Sequence, residues 1–392
     1  MRRLISPDHV AITGSIIGLA SLLAEWLILK PNRLAAGTSL NLWESLGEAG
    51  AIAIAGLWLL CLTLSLVKLR RLRGIALGSA ANAVLILTFV LVGLGSNWLL
   101  QGEPAIARVS FGTGFWTTLA GAYAVIFAAR RQLDEQHTLR NLVSWSGLAV
   151  FVFLLSIGWM NNISIIEEFN GYQQRFVQEM LQHVRLFVIS VAAGTVIGIP
   201  LGIWATRNKY AERPVLYTTS IVQTIPSLAL FGLLIAPFSA LSFAFPLLRD
   251  IGIRGVGVAP AIIALVIYSL LPIVRNTYVG IRQVDPAAID AGQGMGMSRW
   301  QVFRRVEVPL AAPLVLEGVR TASVQAVGLT TVAALIGAGG LGWFVFRGIG
   351  QAAPDLILLG AIPVIIMALL VDAIMRTAVR LGTPKGLGGE SR

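Results

Sequence analysis

The sequence predicts an all-α, polytopic membrane protein of about ten transmembrane helices. Three observations predict it. The chain is 56% hydrophobic and only 12% charged, with a mean hydropathy of +0.78, whereas soluble domains carry about 25% charged residues. Apolar runs long enough to cross a hydrocarbon core recur along the whole length. Most of the 30 lysines and arginines fall in every second connection between those runs, the asymmetry that arises when basic loops stay on the cytoplasmic side. The formal net charge of +11 therefore reads as a topological signal and not as a nucleic-acid surface. The single cysteine, Cys61, lies inside an apolar run. It excludes an intramolecular disulfide and a multi-cysteine metal site and is expected to be a small buried hydrophobe.

The runs fall near 10–29, 48–67, 74–95, 111–129 and 142–160, then 184–205, 215–237, 256–278, 311–338 and 356–378. The first follows Met1-Arg2-Arg3, but it is long for a signal-peptide core and no small-x-small cleavage site follows, so it reads as an anchor. With the N-terminus inside, the cytoplasmic segments are 1–9, the KLRRLR turn at 68–73, 130–141, 206–214, 275–310 and the C-terminal tail. Both termini are then cytoplasmic. Residues 1–165 form a five-span N-terminal extension, 166–183 a polar extracytoplasmic linker or entry helix, 184–382 a second set of five spans, and 383–392 a cytoplasmic tail. The turns of the first half lack the pattern of the 285–310 loop, so the halves are not two copies of one unit.

That loop reads DPAAIDAGQGMGMSRWQVFRRVEVPL. Asp285 before Pro286 is an N-cap followed by a residue suited to a first helical turn. Gly296 can take a positive φ and end that helix. Ser298 and Gln301 have capping-box spacing for a second helix, and Pro309 stops it or begins the next element. Arg299, Arg304 and Arg305 make the second helix basic, while Met295, Met297, Trp300 and Phe303 add apolar surface. Such a short amphipathic pair either rests on lipid headgroups or fills a groove on a partner.

Several polar groups interrupt the later runs. Gln223-Thr224-Ile225-Pro226-Ser227 puts a proline and three polar side chains inside an apolar span. It reads either as a broken helix lining a path or as a kink satisfied by neighbouring helices. Glu317 and Arg320 share one helix face; they form a structural ion pair or a gate, and must pair or face a wet cavity. Gln325, further along that run, faces the same path or bonds a neighbouring helix. Gly337, Gly339, Gly340 and Gly342 predict a tight turn with close backbone approach. His183 is expected at the membrane interface, and Asp372 is given no role.

The loop resembles the EAA coupling loop in the membrane subunit of bacterial ABC importers. The pattern is an acid, two small residues, a glycine six positions after the acid, then nine residues and an aliphatic-x-aliphatic-Pro end. Here Asp290, Ala291, Gly292 and Gly296 are followed by Val306, Val308 and Pro309; Asp stands for the commoner Glu and Gly292 for the second Ala. The stretches VAAGTVIGIPLGIWATR (191–207), QTIPSLALFGLL (223–234), PAIIALVIYSLLPIVRNTYVGI (260–281) and TTVAALIGAGGLG (330–342) look like permeases of osmoprotectant importers, which move glycine betaine, choline, carnitine or proline betaine. The long N-terminal half resembles the longer permeases of that branch.

The resemblance implies a non-catalytic, multi-pass subunit of the bacterial cytoplasmic (inner) membrane, working by alternating access. Its implied partners are ABC ATPase subunits, a second identical or different permease subunit, an extracytoplasmic substrate-binding protein and membrane lipid, with no nucleic acid. The coupling residues would be Asp290, Ala291, Gly292, Gly296, Ser298, Trp300, Arg304 and Pro309. The path would be lined by Gln223, Thr224, Pro226, Ser227, Glu317, Arg320 and Gln325. No cofactor or metal is expected in this chain. It has no G-x-x-x-x-G-K-[ST] loop, so ATP and Mg would be bound by the partner ATPase. The aromatic cage that a quaternary ammonium favours would sit mainly in the binding protein. The competing readings are an importer of the same design for another small solute, such as an amino acid, and a stand-alone secondary transporter. The latter predicts inverted repeats and midplane relays, and no convincing repeat is present.

Overall fold

The computed structural model describes residues 7–67, 72–134, 136–250 and 252–384. The first residues of the chain, most of the 68–73 turn and nearly all of the expected tail lie outside the described residues. The chain divides into two compact units, Met1–Gly171 and Tyr172–Arg392.

The first unit contains α1 (His9–Ala20), α2 (Leu42–Leu66), α3 (Arg73–Leu99), α4 (Thr113–Arg131), α5 (His137–Ser156) and α6 (Ser164–Gly171). It also holds a small antiparallel sheet of β1 (Leu27–Lys30), β2 (Thr38–Leu40) and β3 (Arg108–Phe111), in the order β2-β1-β3. The apolar run expected to span 10–29 is therefore shorter than expected. Its helix ends with a single 3-10 turn at Ser21–Leu23, and Leu27–Lys30 enters the sheet. The reason is local: the buried Trp26 indole donates to Ser21 O at 2.8 Å, turning the chain away from the helix axis. α1 packs on α4 through Gly14 and Gly121, where an added Cβ at either would lie 2.7–2.8 Å from the other's carbonyl oxygen. Asn82 of α3 donates to Val143 O at 2.9 Å and accepts from Gly147 N–H at 2.8 Å, pinning α5.

The second unit contains α7 (Gln173–Arg207), α8 (Lys209–Thr224), α9 (Ser227–Ala244), α10 (Pro246–Asp250), α11 (Val258–Arg282), α12 (Pro286–Gly294), α13 (Arg299–Val302), α14 (Val308–Ala333), α15 (Gly342–Gly350) and α16 (Pro354–Gly382). The 166–183 stretch, expected as a linker or entry helix, is helical and is shared between the end of α6 and the start of α7. Glu168 of α6 is buried and paired with Arg33 at 2.7 Å and Arg108 at 3.1 Å, while 173–183 are the first turns of the 35-residue α7. At about 1.5 Å per residue α7 is roughly 52 Å long, more than the ~30 Å hydrocarbon core.

Among the described residues, eight helices are long and apolar enough to cross a membrane, and His9–Leu23 is a shorter apolar one. The expected 111–129 span is the helix α4, whose threonines and terminal Arg130 and Arg131 hold it outside that set. The expected 215–237 span is not one helix. It breaks at Ile225 and Pro226, both extended, and the apolar part continues as α9 to Ala244. Pro226 cannot donate a backbone hydrogen bond, and its ring disfavours helical backbone at Ile225.

Candidate functional site

The 285–310 segment is built outward from a small apolar floor. Ile281, Val284 and Ala311 are buried, with Ile203, Ile289 and Phe303 packed against them. Asp285 caps α12, accepting from Ala287 N–H at 2.9 Å, and Pro286 occupies the first helical position. After α12 the chain reverses at Gly296, whose φ is +85°, and Met297 N–H returns to Gly292 O at 3.1 Å. Ser298 and Gln301 form a reciprocal capping box at 2.8 and 3.3 Å, so helix, turn and helix follow from residues legible in the sequence.

Of the two readings of Pro309, the structure takes the second: it lies in the first turn of the next element, α14, which α13 joins through a π-helical turn, Phe303–Glu307. Pro309 has no N–H to close an α-turn and its ring crowds the carbonyl of Arg305; a wider turn at 303–307 relieves both. The loop is therefore rigidly joined to the following span.

Gly292 is buried, and a Cβ there would meet Val302 at 3.4 Å and Val306 at 3.5 Å, ordinary contact distances. An alanine, the residue the EAA pattern has at this position, would fit. Asp290 and Ala291 are exposed, and among the described residues the Asp290 side chain has no partner. Trp300 and Met295 are 66% and 72% exposed, and Arg304 and Pro309 are also on the surface. On its other side the loop is tied to the end of α7: the buried Glu307 carboxylate pairs with Arg207, whose guanidinium lies 5.4 Å from the Phe303 ring centroid. Between them lies a cleft of 680 Å³ lined by Arg207, Gln293, Arg299 and Trp300 among others. Nearby, Tyr278 donates to Glu212 at 2.6 Å and Arg282 approaches the same carboxylate at 3.3 Å, joining α8 to α11. The Tyr278 hydrogen bond, with Arg282 and Arg213 adding positive charge, holds the Glu212 carboxyl below its ordinary range against a smaller opposing effect of burial.

The residues expected along a path fall in two places. At the α8–α9 break, Gln223 donates to Tyr268 O at 3.1 Å, and the Tyr268 hydroxyl donates to the Ile225 carbonyl that the break frees. Thr224 bonds back to Ile221 O at 2.7 Å, Pro226 caps α9, and Ser227 opens it. Glu317, Arg320 and Gln325 line a separate cleft of 360 Å³ with Thr321, Val324 and Asp372. There Arg320 binds Glu317 at 2.8 Å and Asp372 at 2.7 Å, and Asp372 also pairs with Arg376. Asp372 was missed in the sequence. The signal available was a lone carboxylate in an apolar run with Arg376 one turn later.

A third cluster was also missed. His183 is fully buried, not interfacial. Its Nδ1 accepts from Leu341 N–H at 3.2 Å, which leaves Nε2 to donate to Val327 O at 3.0 Å. Glu179 accepts from Gly340 N–H at 2.6 Å and pairs with Arg175 at 2.6 Å, and Gln182 donates to Ala338 O at 3.0 Å. The glycine turn after α14 is thus clamped by one face of α7. Gly339 and Gly340 have φ of +81° and +89°, which presents successive N–H groups to the clamp.

The helix-turn-helix loop thus lies between long apolar helices, with Asp290, Trp300 and Arg304 on its surface, an arrangement of the membrane-transport-subunit class. The chain belongs to the binding-protein-dependent transport system inner membrane components, the ABC transporter permeases, whose pattern it matches over residues 198–384. More particularly, residues 7–166 match the N-terminal domain of the ABC transporter permease YehY. The chain is 39% identical over 230 residues to the glycine betaine/carnitine/choline transport system permease protein OpuCB of Bacillus subtilis, covering 59% of this chain and 98% of the relative. It is 39% identical over 206 residues to the osmoprotectant import permease protein OsmW of Salmonella typhimurium, with 53% and 91% covered. To the choline transport system permease protein OpuBB of Bacillus subtilis it is 40% identical over 206 residues, with 53% and 88% covered. As a member of this family the chain is a non-catalytic, multi-pass subunit of the inner membrane.

Proposed function

We propose that this chain forms the translocation path of an importer for a small methylammonium osmolyte of the glycine betaine, choline or carnitine type. The observation that carries the substrate class is the 39–40% identity to permeases named for those compounds. The path is assigned to the second unit, where Gln223, Tyr268 and the Glu317–Arg320–Asp372 network interrupt otherwise apolar helices. ATP and Mg bind a partner ATPase that docks on the 285–310 loop, through Asp290, Ala291, Trp300 and Arg304 at the surface, with Gly292, Gly296, Ser298 and Pro309 shaping it. A second permease subunit completes the path, and an extracytoplasmic binding protein delivers the solute and sets most of the selectivity. Both termini face the cytoplasm in this reading, which the distribution of basic residues supports.

The test is ATP-driven uptake into proteoliposomes holding the complete complex with its binding protein. Saturable uptake of glycine betaine or choline is expected. Uptake of an unrelated solute alone, with both osmolytes inert as substrates and competitors, would replace this reading with an importer of the same design for that solute.

A further inference from the structure

At the end of α2 and α3 remote from the 68–73 turn, Trp43 and Trp98 line one cleft of 310 Å³ together with Glu44. The two indoles are 49% and 62% exposed, and Glu44 is the only charged group among the lining residues. We propose that this cleft binds a quaternary-ammonium cation, with the Trp43 and Trp98 rings as its walls and the Glu44 carboxylate as its countercharge.

Tryptophans at the ends of spans ordinarily sit among lipid headgroups. Here the backbone makes them a site. Gly47 interrupts α2 at φ +73° and ψ 164°, so the Leu42–Leu46 turn swings aside from the rest of the helix and leaves a concavity. Gly95 brings α3 against that turn: a Cβ at position 95 would lie 2.3 Å from Ser45 O. Glu44 is fixed by its capping box with Asn41, both hydrogen bonds being 3.0 Å. The backbone that carries both indoles is thus closely packed, and the Glu44 carboxylate is fixed by its cap. A methylated ammonium has no N–H to donate, so it is recognised by aromatic faces and negative charge, the two chemistries this cleft presents beside apolar Leu91 and Leu94. The choice of cation rests on the proposed substrate class. The site itself lies wholly in the N-terminal unit.

The test is equilibrium binding of radiolabelled choline to the purified full chain without its binding protein. Variants are Trp43→Ala, Trp98→Ala, their Phe counterparts, and Glu44→Gln, which keeps the capping hydrogen bond because glutamine also serves at that position. The alanine and Glu44→Gln variants should each weaken binding about three- to thirtyfold. The Phe variants should lose less, and dimethylbutanol, the neutral carbon isostere of choline, should not compete. Three results would overturn the proposal: no saturable binding by the wild type, binding unmoved by these substitutions, or equal competition by the neutral isostere. Reconstituted transport separates the two readings. A complex that imports choline while the chain's binding ignores Trp43, Trp98 and Glu44 sinks the site alone. A chain that binds choline here within a complex that imports only an unrelated solute sinks the substrate assignment alone.

Discussion

Gly202→Ala should destabilise this protein even though alanine favours helix. Gly194, Gly198 and Gly202 recur every fourth residue on α7, and small residues at that spacing let two helices approach closely. They face Ser269, Ile273 and Thr277 of α11. A Cβ at position 202 would lie 2.6 Å from Thr277 Cβ and 2.9 Å from Val274 O. Neither is the tip of a flexible side chain, so the helices must part. Overpacking of this kind costs about 1–3 kcal/mol, against about 1 kcal/mol gained from helix propensity. Gly328 of α14 is the control: a Cβ there meets nothing within 4 Å, and Gly328→Ala should hold or raise stability by up to ~1 kcal/mol. The assay is thermal unfolding of the detergent-purified chain, in which 1 kcal/mol moves the midpoint by roughly 2–4 °C. Because α7 carries Arg207 and α11 leads into the 285–310 loop, Gly202→Ala should also lower transport. A Gly202→Ala midpoint equal to or above that of Gly328→Ala would refute the close-packing argument.

Three further outcomes follow from the same geometry. Glu307→Gln removes the charge that ties the loop to Arg207; the stability loss should be small, about 1 kcal/mol, because Arg207 is half exposed and solvent screens the pair, whereas solute moved per ATP hydrolysed should fall severalfold in reconstituted complex. His183→Phe keeps an aromatic ring but leaves the buried Leu341 N–H unpaired, at about 1–3 kcal/mol; hydrogen exchange at Gly340 and Leu341 should accelerate, and unchanged exchange would show that the clamp is unimportant. Glu212 has a lowered pKa in the fold, so its contribution is complete above the unfolded value and is lost as pH falls through the lower folded one; exchange in the first turn of α8, relative to the intrinsic rate, should rise only as pH falls below the ordinary glutamate range, and Glu212→Gln should show the raised rate at neutral pH without that titration.

The helical membrane architecture was legible because twenty-residue apolar runs admit few other structures. Caps were legible too: Asp285, Ser298 and Gln301 act through neighbours three or fewer residues away. What stayed hidden depends on partners remote in sequence. Asp372 acquires meaning only when Arg320 of another helix reaches it, and His183 only when the glycine turn, far along the chain, folds over it. The sheet of β1 to β3 was masked by apolar residues shared with a span, since Leu27-Ile28-Leu29 reads equally as helix or buried strand. The break at Ile225–Pro226 was visible as a proline in an apolar run. Its capping by Tyr268, from α11, was not.

The central claim is that the 285–310 loop carries ATPase closure to the path, and Gly296→Val tests it most directly. Gly296 sits at φ +85° and a Cβ there would meet nothing within 4 Å. The substitution therefore strains only the turn, by about 1–3 kcal/mol, and leaves the packing of the spans alone. The measurement is paired transport and ATP hydrolysis by the purified mutant complex, with recovery of the ATPase subunit scored in the same preparation. A normally inserted permease with transport lost, and with the ATPase either missing or hydrolysing ATP without transport, is the predicted result. Wild-type transport with wild-type ATPase recovery would contradict it.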